Sequence, residues 1–316
     1  MKAQPATLSV VIPLYNEAES LNELYGQLQA VLQTLPNPVE LIFVDDGSTD
    51  PSYEILLQLH HKDPRVKILR FRRNFGKSAA LAEGFKRASG DYIVTMDADL
   101  QDDPAEIPEL IKTLESGYDL VSGWKKKRYD SLIKRISSKI FNAVTGWLTG
   151  VHLHDMNCGL KIYRKEVVQN LRLYGQRHRF IPVLAANDGF IVGERVVRHH
   201  PRKYGRSKFG PSRFLIGLLD LITLLFLSRY VKRPLHLFGG LGLLSLLIGM
   251  GINVYLAYER LVLHKYLTNR PLLFLGILLV IVGIQLFSLG LLGEMITESR
   301  AESMQYNIRN EIGFDT

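Results

Sequence analysis

Four aspartates crowd the stretch MDADLQDDP, at positions 97, 99, 102 and 103, although the chain as a whole has a net charge of +8. The stretch follows the apolar run YIVT, which is typical of a strand. Asp97 and Asp99 stand one residue apart, so their oxygens can face one hard divalent cation, Mg²⁺ or Mn²⁺. A solvated acidic turn is the alternative. Because like charges this close repel, the pattern requires compensating positive charge.

The second pair of aspartates has a different context. Asp103 is followed by Pro104 and, three residues after the aspartate, by Glu106. This order is typical of an N-cap, a proline at the first helical position and a capping-box acid. We therefore expect Asp103 to begin a helix over residues 104–115. Asp102 receives no role from these patterns.

The elements that must position these residues alternate between strands and helices. Apolar runs predict strands at residues 8–14, 39–44, 66–71 and 91–96, and helical patterns separate them, for example at 53–60 and 77–88. Apolar strands in β-α-β order favour an α/β fold whose mainly parallel sheet is covered on both faces. The turn after the first predicted strand lacks the G-x-G-x-x-G motif of dinucleotide-binding domains, and the sequence has no Walker A motif. A nucleotide would therefore be held in another way.

Polar residues follow three of the predicted strands. Such sheets bind ligands at the carboxyl ends of their strands. Here those ends have the sequences YNE at 15–17, DD at 45–46 and DAD at 97–99. Three polar clusters at one edge predict a ligand site there.

The C-terminal third is far more apolar than the rest. Residues 235–258 and 272–293 contain no formally charged residue, and each segment exceeds the roughly 20 residues that span a bilayer as a helix. We expect two transmembrane helices joined by residues 259–271. Two buried core helices are the alternative. A face for close helix packing is indicated by glycines at 276, 283 and 290.

Several features favour a cytoplasmic catalytic domain with both termini on the same side of an inner membrane or its equivalent. Two spans return the chain to its starting side, and basic residues at 213, 229, 232 and 233 precede the first span. The basic loop between the spans weakens this charge bias. The segment before the first predicted strand, residues 1–7, is short and polar, so we expect no signal peptide. The lone Cys158 excludes an internal disulfide and fits a reducing compartment.

Basic residues are concentrated after the acidic stretch. A nucleic-acid face is one reading of such runs, but the attached membrane spans make a lipid headgroup or lipid phosphate the better partner than nucleic acid. Our candidates for contacts with such a lipid phosphate, which the family resemblance given below makes the acceptor, are Lys125, Arg128, Lys134, Arg135, Arg202 and Lys208.

The remaining organisation follows from amphipathic patterns. An apolar stripe through residues 131–149, with basic residues elsewhere, predicts a helix at the membrane interface; ordinary packing inside the domain is the alternative. We expect a catalytic domain at 1–210, a juxtamembrane helix at 211–233, a hairpin at 234–293 and a cytoplasmic tail at 294–316.

Several motifs resemble those of one enzyme family. The stretches VVIPLYNE, VDDGSTD, RNFGKSAAL, GDYIVTMDADLQDDP and CGLKIYRKEV are similar to family 2 glycosyltransferases with the GT-A fold. Together with RKYGRSKF and the two C-terminal spans, they most resemble the polyprenyl-phosphate glycosyltransferases, which include dolichol-phosphate mannose synthases and bactoprenol glucosyltransferases. The resemblance covers nearly the whole chain and implies a Rossmann-like, mainly parallel sheet.

The resemblance also implies roles for individual residues. Nucleotide-sugar contacts are implied for Pro13, Tyr15, Glu17, Asp46, Lys77 and Asp97. Gln101 would join Asp97 and Asp99 at the metal. The pattern R-x-x-G-x-S-K, which is expected to close over phosphates, is matched by Arg202, Gly205, Ser207 and Lys208. Many relatives have arginine near Lys125, whereas lysine lacks its bidentate geometry.

The implied reaction is transfer of one sugar, with inversion, from a nucleotide-sugar of the UDP-glucose or GDP-mannose class to polyprenyl phosphate. Asp99, Asp155 and Arg202 are the catalytic candidates, with Asp155 as a base, an orienting group or a charge stabiliser. QRHRF at 176–180 superficially resembles a signature of processive polysaccharide synthases, but two spans are few for a polymer channel. A catalytically silent anchor or partner-binding subunit is a further alternative. A homo-oligomer is compatible with the resemblance.

Overall fold

A computed structural model describes residues 6–126, 132–171, 173, 177–204, 234–264, 266, 271–299 and 308–313. Its centre is an eight-stranded sheet with the order β7-β5-β6-β4-β1-β2-β3-β8. The strands are β1 (Leu8–Leu14), β2 (Val39–Asp45), β3 (Val66–Phe71), β4 (Tyr92–Thr95), β5 (Leu120–Trp124), β6 (Lys161–Arg164), β7 (Val192–Val196) and β8 (Ile308–Ile312).

The four predicted strands form the parallel centre of the sheet. β1 pairs with β2 on one side and with β4 on the other, and β2 pairs with β3, all in parallel. Every residue of β1 is buried, as expected of a strand covered on both faces. The α/β fold is therefore confirmed.

Two antiparallel strands were not expected. β6 lies between β4 and β5 and runs antiparallel to both, whereas β5 and β7 pair in parallel. β8 comes from the predicted C-terminal tail and pairs antiparallel with β3. It covers what would otherwise be an open sheet edge, which proteins commonly protect.

Helices cover both faces of the sheet. The unit built around the sheet contains α1 (Ala18–Leu32), α2 (Ser52–Lys62), α3 (Lys77–Arg87), α4 (Ile107–Glu115), α5 (Leu132–Thr149), α6 (Lys165–Asn170) and α7 (Ile181–Asn187), with short 3₁₀ helices at Pro104–Glu106 and Arg177–Phe180. One buried core takes its apolar residues from α1, α2 and α4, and a second takes them from α3, α6 and α7. The sheet is thus the middle layer of three, and its strand ends stay open for loops.

The helix α5 turns its polar residues inward. Asn142 and Thr145 are buried, and the Asn142 side-chain amide donates a hydrogen bond to the His154 carbonyl at 2.6 Å. Trp147 is 79% exposed on the same helix. The exposed tryptophan is unusual for a soluble surface, because large apolar side chains normally pack inward.

The C-terminal unit is a helical hairpin, made of α8 (Pro234–Leu261) and α9 (Pro271–Ser299). Both helices are long and apolar enough to cross a membrane, over Leu237–Leu261 and Pro271–Gly293. Few residues in these segments are buried within the protein, so the alternative of two core helices is not supported.

Glycines hold the two helices of the hairpin close together. A Cβ atom added at Gly242 would lie 2.7 Å from the Gly283 carbonyl oxygen, and one added at Gly249 would lie 2.7 Å from that of Gly276. A Cβ at Gly290 would lie 3.2 Å from the backbone nitrogen of Gly239. The predicted glycine face is confirmed, and it packs against matching glycines of α8.

Candidate active site

The carboxyl ends of β1, β2 and β4 bring the three predicted polar clusters to one edge of the sheet. Two loop residues at this edge, Asn16 and Leu100, adopt the left-handed conformation with φ of 53° and 62°. A non-glycine residue in this region is strained, and such strain is often concentrated at functional sites. Leu100 lies directly between Asp99 and Gln101, so the strained bend shapes the D-x-D turn itself.

Each aspartate of the D-x-D motif faces a positive side chain. The Lys77 ammonium forms an ion pair with Asp97. An Arg202 guanidinium nitrogen lies 3.9 Å from an Asp99 carboxylate oxygen, and the other Asp99 oxygen accepts a hydrogen bond from the Gln101 backbone N–H at 3.2 Å. The positive charge that the sequence required is therefore supplied in part by the protein itself.

The two carboxyl groups differ in acidity. Burial, followed by the charges of Asp97 and Asp102, raises the pKa of Asp99 to about 6. Burial also acts to raise the pKa of Asp97, but the charges of Lys77 and Lys125 outweigh it and hold that pKa below its usual value. At neutral pH Asp97 is the better-compensated anion, and Asp99 is the group that gains more from an added cation.

Arg202 is the bridge between two loops at this edge. Its guanidinium donates to a Glu17 carboxylate oxygen at 2.7 Å and to the Tyr204 carbonyl at 2.9 Å. The segment that carries Arg202 is tied to the D-x-D turn, because the His200 backbone N–H donates to the Gln101 carbonyl at 2.9 Å. This tie places the arginine over both acidic clusters, and a short antiparallel bridge between residues 102 and 199 reinforces it.

Asp102, which the sequence left without a role, lies beneath the D-x-D turn. It is 1% exposed, its Oδ1 atom lies 2.7 Å from the Lys125 ammonium, and its Oδ2 atom accepts a hydrogen bond from the Asp97 backbone N–H at 3.3 Å. Burial lowers the pKa of Lys125, but the carboxylate of Asp102 outweighs burial and raises that pKa. A Cβ added at Gly159 would lie 2.6 Å from an Asp97 oxygen and 2.8 Å from an Asp102 oxygen, so only glycine allows this close packing.

Lys125, a candidate contact for the acceptor phosphate, forms an ion pair with Asp102 and has only 13% of its side chain exposed. The reason is electrostatic, because a buried carboxylate next to Asp97 needs a neighbouring cation. The ion pair supports the turn, and a contact between Lys125 and an acceptor phosphate stays a prediction.

Asp103 begins a helical segment, as predicted. Its carboxylate accepts a hydrogen bond from the Ala105 backbone N–H at 2.9 Å, and Pro104 takes the first helical position. The first turn is a 3₁₀ helix, and the α-helix α4 starts at Ile107. The second Asp103 oxygen lies 3.2 Å from a His200 ring nitrogen.

Asp46, for which a nucleotide-sugar contact stays a prediction, already has backbone partners in the structure. Its two oxygens accept hydrogen bonds from the backbone N–H groups of Phe75 and Gly76 at 2.7 and 2.9 Å. Burial raises the pKa of Asp46 to about 6. Since Lys77 directly follows this loop as the first residue of α3, Asp46 positions the lysine at the site.

The other nucleotide-pocket candidates lie around the end of β1. Pro13 is buried inside the strand, whereas Tyr15 and Glu17 are half-buried beyond it. A cleft at this point is lined by Glu17, Asp50 and Tyr204 among others, and a second cleft is bordered by Leu100 and Arg202. The second cleft borders the D-x-D turn through Leu100, whereas the first lies beside the loops that follow β1 and β2.

Asp155 and Cys158 lie on the floor of the site. Asp155 is 1% exposed. Burial raises the pKa of the Cys158 thiol to about 12, so at neutral pH the thiol is protonated and is not a nucleophile.

Two basic residues of the site were not singled out by the sequence. Lys161, at the start of β6, is buried, donates a hydrogen bond to the Cys158 carbonyl, and has its pKa lowered by burial. His178 shares a hydrogen bond with Ser78 Oγ at 2.9 Å, and burial, followed by the charge of Lys77, holds its pKa well below the usual value. The available signal for Lys161 was a charged residue within an apolar strand, LKIY.

The remaining acceptor-phosphate candidates cannot be placed. Arg128, Ser207 and Lys208 lie outside the described residues, as do the side chains of Lys134 and Arg135 and the predicted juxtamembrane helix at 211–233.

The donor set fits a hard divalent ion that also binds phosphate. Among the described residues, no group of three or more His, Cys, Asp or Glu side chains could hold a metal by itself. Mg²⁺ and Mn²⁺ typically use one or two carboxylates and complete their coordination with substrate phosphates and water. Asp97 and Asp99 offer this minimal set of carboxylates.

Comparisons with known proteins agree with this geometry. Residues 9–172 match Glycosyl transferase family 2, and residues 233–299 match the GtrB C-terminal hairpin. The chain is similar to a dodecaprenyl-phosphate galacturonate synthase of Rhizobium johnstonii, with 39% identity over 94% of this chain and 89% of the relative. It is also similar to an undecaprenyl-phosphate 4-deoxy-4-formamido-L-arabinose transferase of Photorhabdus laumondii, with 37% identity over 92% of this chain and 88% of the relative.

Solved structures show the same fold. A glucosyl-3-phosphoglycerate synthase from Mycobacterium tuberculosis, in complex with Mn²⁺ and UDP-glucose, aligns with a TM-score of 0.54 and 20% identity over 71% of this chain and 79% of that chain. A mannosyl-3-phosphoglycerate synthase from Rubrobacter xylanophilus aligns with a TM-score of 0.56 and 13% identity over 70% of this chain and 74% of that chain. With its matching N-terminal domain, C-terminal hairpin and full-length relatives, the chain belongs to glycosyl transferase family 2, as a membrane-associated glycosyltransferase with a GtrB-type hairpin.

Proposed function

We propose that this enzyme transfers one sugar from a nucleotide-sugar to a polyprenyl phosphate at the cytoplasmic face of a membrane, with inversion and with Mg²⁺ or Mn²⁺. The observation that carries the proposal is the edge of the sheet where Arg202 contacts both Glu17 and Asp99 and Lys77 pairs with Asp97. Relatives that match over nearly their whole length are named for polyprenyl-phosphate sugar transfer. The donor is of the UDP-glucose or GDP-mannose class.

The chemistry assigns separate tasks to the residues of the site. Asp97 and Asp99 would hold the metal, with Gln101 beside them, and the metal would stabilise the diphosphate leaving group. Arg202 reaches both acidic loops and would offer its guanidinium to phosphate oxygens, which it can bind in a bidentate manner. Tyr15, Glu17 and the loop held by Asp46 would form the nucleotide side of the site.

The acceptor needs little help from a base. A phosphate monoester has a second pKa of about 6, so its oxygen is already ionised at neutral pH. Asp155 is buried, and its charge acts on the nearby Lys161. This environment favours a role for Asp155 in balancing the buried lysine over a role as the general base.

Two observations support a position at the membrane. The helix α5 buries Asn142 and Thr145 and exposes Trp147, the arrangement expected of a helix that lies in the interface. After the hairpin the chain returns to the catalytic sheet as β8, which supports placing both ends of the hairpin on one side of the membrane. The basic residues before the first span favour the cytoplasmic side.

The interface position can be tested with tryptophan fluorescence. The chain has two tryptophans, so a Trp124→Phe variant leaves Trp147 as the sole reporter. In liposomes, we expect brominated acyl chains to quench Trp147, because its ring lies at the headgroup boundary. Emission that is insensitive to brominated lipids would place α5 away from the bilayer.

The function is tested by a transfer assay with the purified protein in detergent. Radiolabelled UDP-sugars and GDP-sugars, supplied singly with undecaprenyl phosphate and Mg²⁺ or Mn²⁺, should give a lipid-extractable monosaccharide with one donor class. A long polymer would indicate a processive synthase instead. If a cooperative thermal unfolding transition shows that the protein is folded and no donor gives a product, a catalytically silent anchor subunit would be favoured.

A further inference from the structure

We propose that Lys77 is a displaceable counter-ion of the D-x-D motif, which occupies Asp97 before the metal binds and moves to the diphosphate when the donor arrives. The inference rests on the proposed function, in which Asp97 and Asp99 hold a metal–diphosphate. Its starting point is the ion pair between the Lys77 ammonium and the Asp97 Oδ1 atom. An oxygen that faces an ammonium is shielded from a second cation, so Lys77 and a metal compete for the same carboxylate.

The position of Lys77 is set by its loop. Asp46 accepts hydrogen bonds from the backbone N–H groups of Phe75 and Gly76, immediately before the lysine. On the other side, Ser78 Oγ accepts a hydrogen bond from the His178 backbone N–H at 3.0 Å. The backbone around Lys77 is therefore anchored from two directions, and the freedom of this residue lies in its flexible side chain.

The exposure of the pair distinguishes it from its buried neighbour. The side chains of Lys77 and Asp97 are 31% and 34% exposed, whereas those of Lys125 and Asp102 are 13% and 0% exposed. Separating the buried pair would leave a charge without solvent, which carries a large penalty. The Lys77–Asp97 pair can separate at a smaller penalty than the buried pair, because water and an incoming anion can reach both of its groups.

A diphosphate changes the balance at Lys77. It offers the ammonium several anionic oxygens next to the same turn, and charge-assisted bonds to phosphate are strong. Transfer of Lys77 to the diphosphate would free Asp97 for the metal. Metal binding and diphosphate binding would then strengthen each other, and by linkage the coupling must be equal in both directions.

The first test is binding of Mn²⁺ alone, followed by the electron paramagnetic resonance signal of free Mn²⁺ and without any turnover. We expect Lys77→Met to bind Mn²⁺ about fivefold more tightly than the wild type, because the competing ammonium is gone. The effect is modest because the Lys77–Asp97 ion pair is partly exposed, and such pairs are weak. Lys77→Arg retains the positive charge and should stay close to the wild type.

Lys86→Met provides the matched control. Lys86 lies on the same helix α3 and also pairs with a carboxylate, that of Glu83 at 2.7 Å, but it is outside the site. Its removal should leave Mn²⁺ affinity unchanged. Thermal unfolding of all variants establishes that they are folded before the titrations are compared.

The outcomes separate the inference from the proposed function. If the wild type binds Mn²⁺ and Lys77→Met binds it equally or more weakly, the counter-ion role is overturned while metal use stands. Binding to Lys77→Met but not to the wild type would support the role in its strongest form. Binding to neither folded protein, even with UDP present to supply phosphate ligands, would overturn the assignment of the metal to Asp97 and Asp99, and the counter-ion role with it.

A second titration in the presence of UDP tests the coupling. In the wild type, UDP should increase Mn²⁺ affinity both by supplying phosphate ligands and by removing Lys77 from Asp97. In Lys77→Met only the first contribution remains, so the UDP-dependent increase should be smaller. An increase of the same size in both proteins would contradict the transfer of Lys77 to the diphosphate.

Discussion

The two halves of the acidic stretch contain the same residue type in different surroundings. Asp97 and Asp99 lie at the carboxyl-end edge of the sheet, where they face the side chains of Lys77 and Arg202. Asp102 is buried against Lys125, and Asp103 caps the following helical turn. The clearest contrast is between Asp97–Lys77, which is partly exposed, and Asp102–Lys125, which is buried, so the first pair can exchange partners with solvent or a ligand and the second pair is structural.

The largest effect should come from removing a ligand-binding aspartate. Asp99→Ala should lower lipid-linked sugar transfer by about 10³-fold or more, because a lost metal ligand removes several kcal/mol of charge stabilisation in the transition state. The measurement is initial rates with saturating donor and acceptor, on protein whose thermal unfolding matches the wild type. A rate within tenfold of the wild type would remove Asp99 from the site.

Breaking the buried pair should mainly affect stability. Lys125→Met should lower the free energy of unfolding by about 3 kcal/mol, because it leaves the Asp102 carboxylate buried beside Asp97 without its cation. The double variant Lys125→Met/Asp102→Asn should lose clearly less, since no unpaired charge remains. Denaturant unfolding in detergent measures both variants. Equal losses in the two proteins would mean that the pair does not act as a unit.

The raised pKa of Asp99 predicts a trade-off between stability and function. In the folded protein this pKa is about 6, above the roughly 4 of an unfolded aspartate, so ionisation at neutral pH destabilises the fold. Asp99→Asn should therefore stabilise the metal-free protein by about 2 kcal/mol at pH 7.5, although we expect the same change to lower the transfer rate.

The stabilisation by Asp99→Asn should depend on pH, and this dependence can be measured. As pH falls from about 6 to about 4, the wild-type carboxyl becomes protonated in the folded protein, and the advantage of the Asn variant should disappear. Unfolding of both proteins with EDTA present, at pH 7.5 and at pH 4, is the comparison. An advantage that persists unchanged at pH 4 would show that Asp99 ionisation is not its cause.

The smallest effect should come from the helix-capping aspartate. Asp103→Asn should change transfer by less than about twofold and stability by less than about 0.5 kcal/mol, because asparagine caps a helix about as well as aspartate. The same rate and unfolding measurements apply. A loss comparable to that of Asp99→Ala would move Asp103 from the structural half of the stretch to the functional half.

The sequence by itself determined the elements that depend on local patterns. The four parallel strands, the helical start at Asp103, the two apolar helices and the glycine face all follow from periodicity, capping and residue size. It also placed Asp97 and Asp99 at a strand end. These features depend on residues that are close together in the chain, so they can be predicted from the sequence.

Only the tertiary structure decided which groups meet across the chain. Asp102 and Lys125 are 23 positions apart and Asp97 and Lys77 are 20 apart, and β8 joins β3 from the far end of the chain. Whether a carboxylate is buried, and which cation compensates it, depends on how distant segments pack, which local periodicity does not encode. For that reason four neighbouring aspartates could be recognised as unusual from the sequence, while their separate partners required the fold.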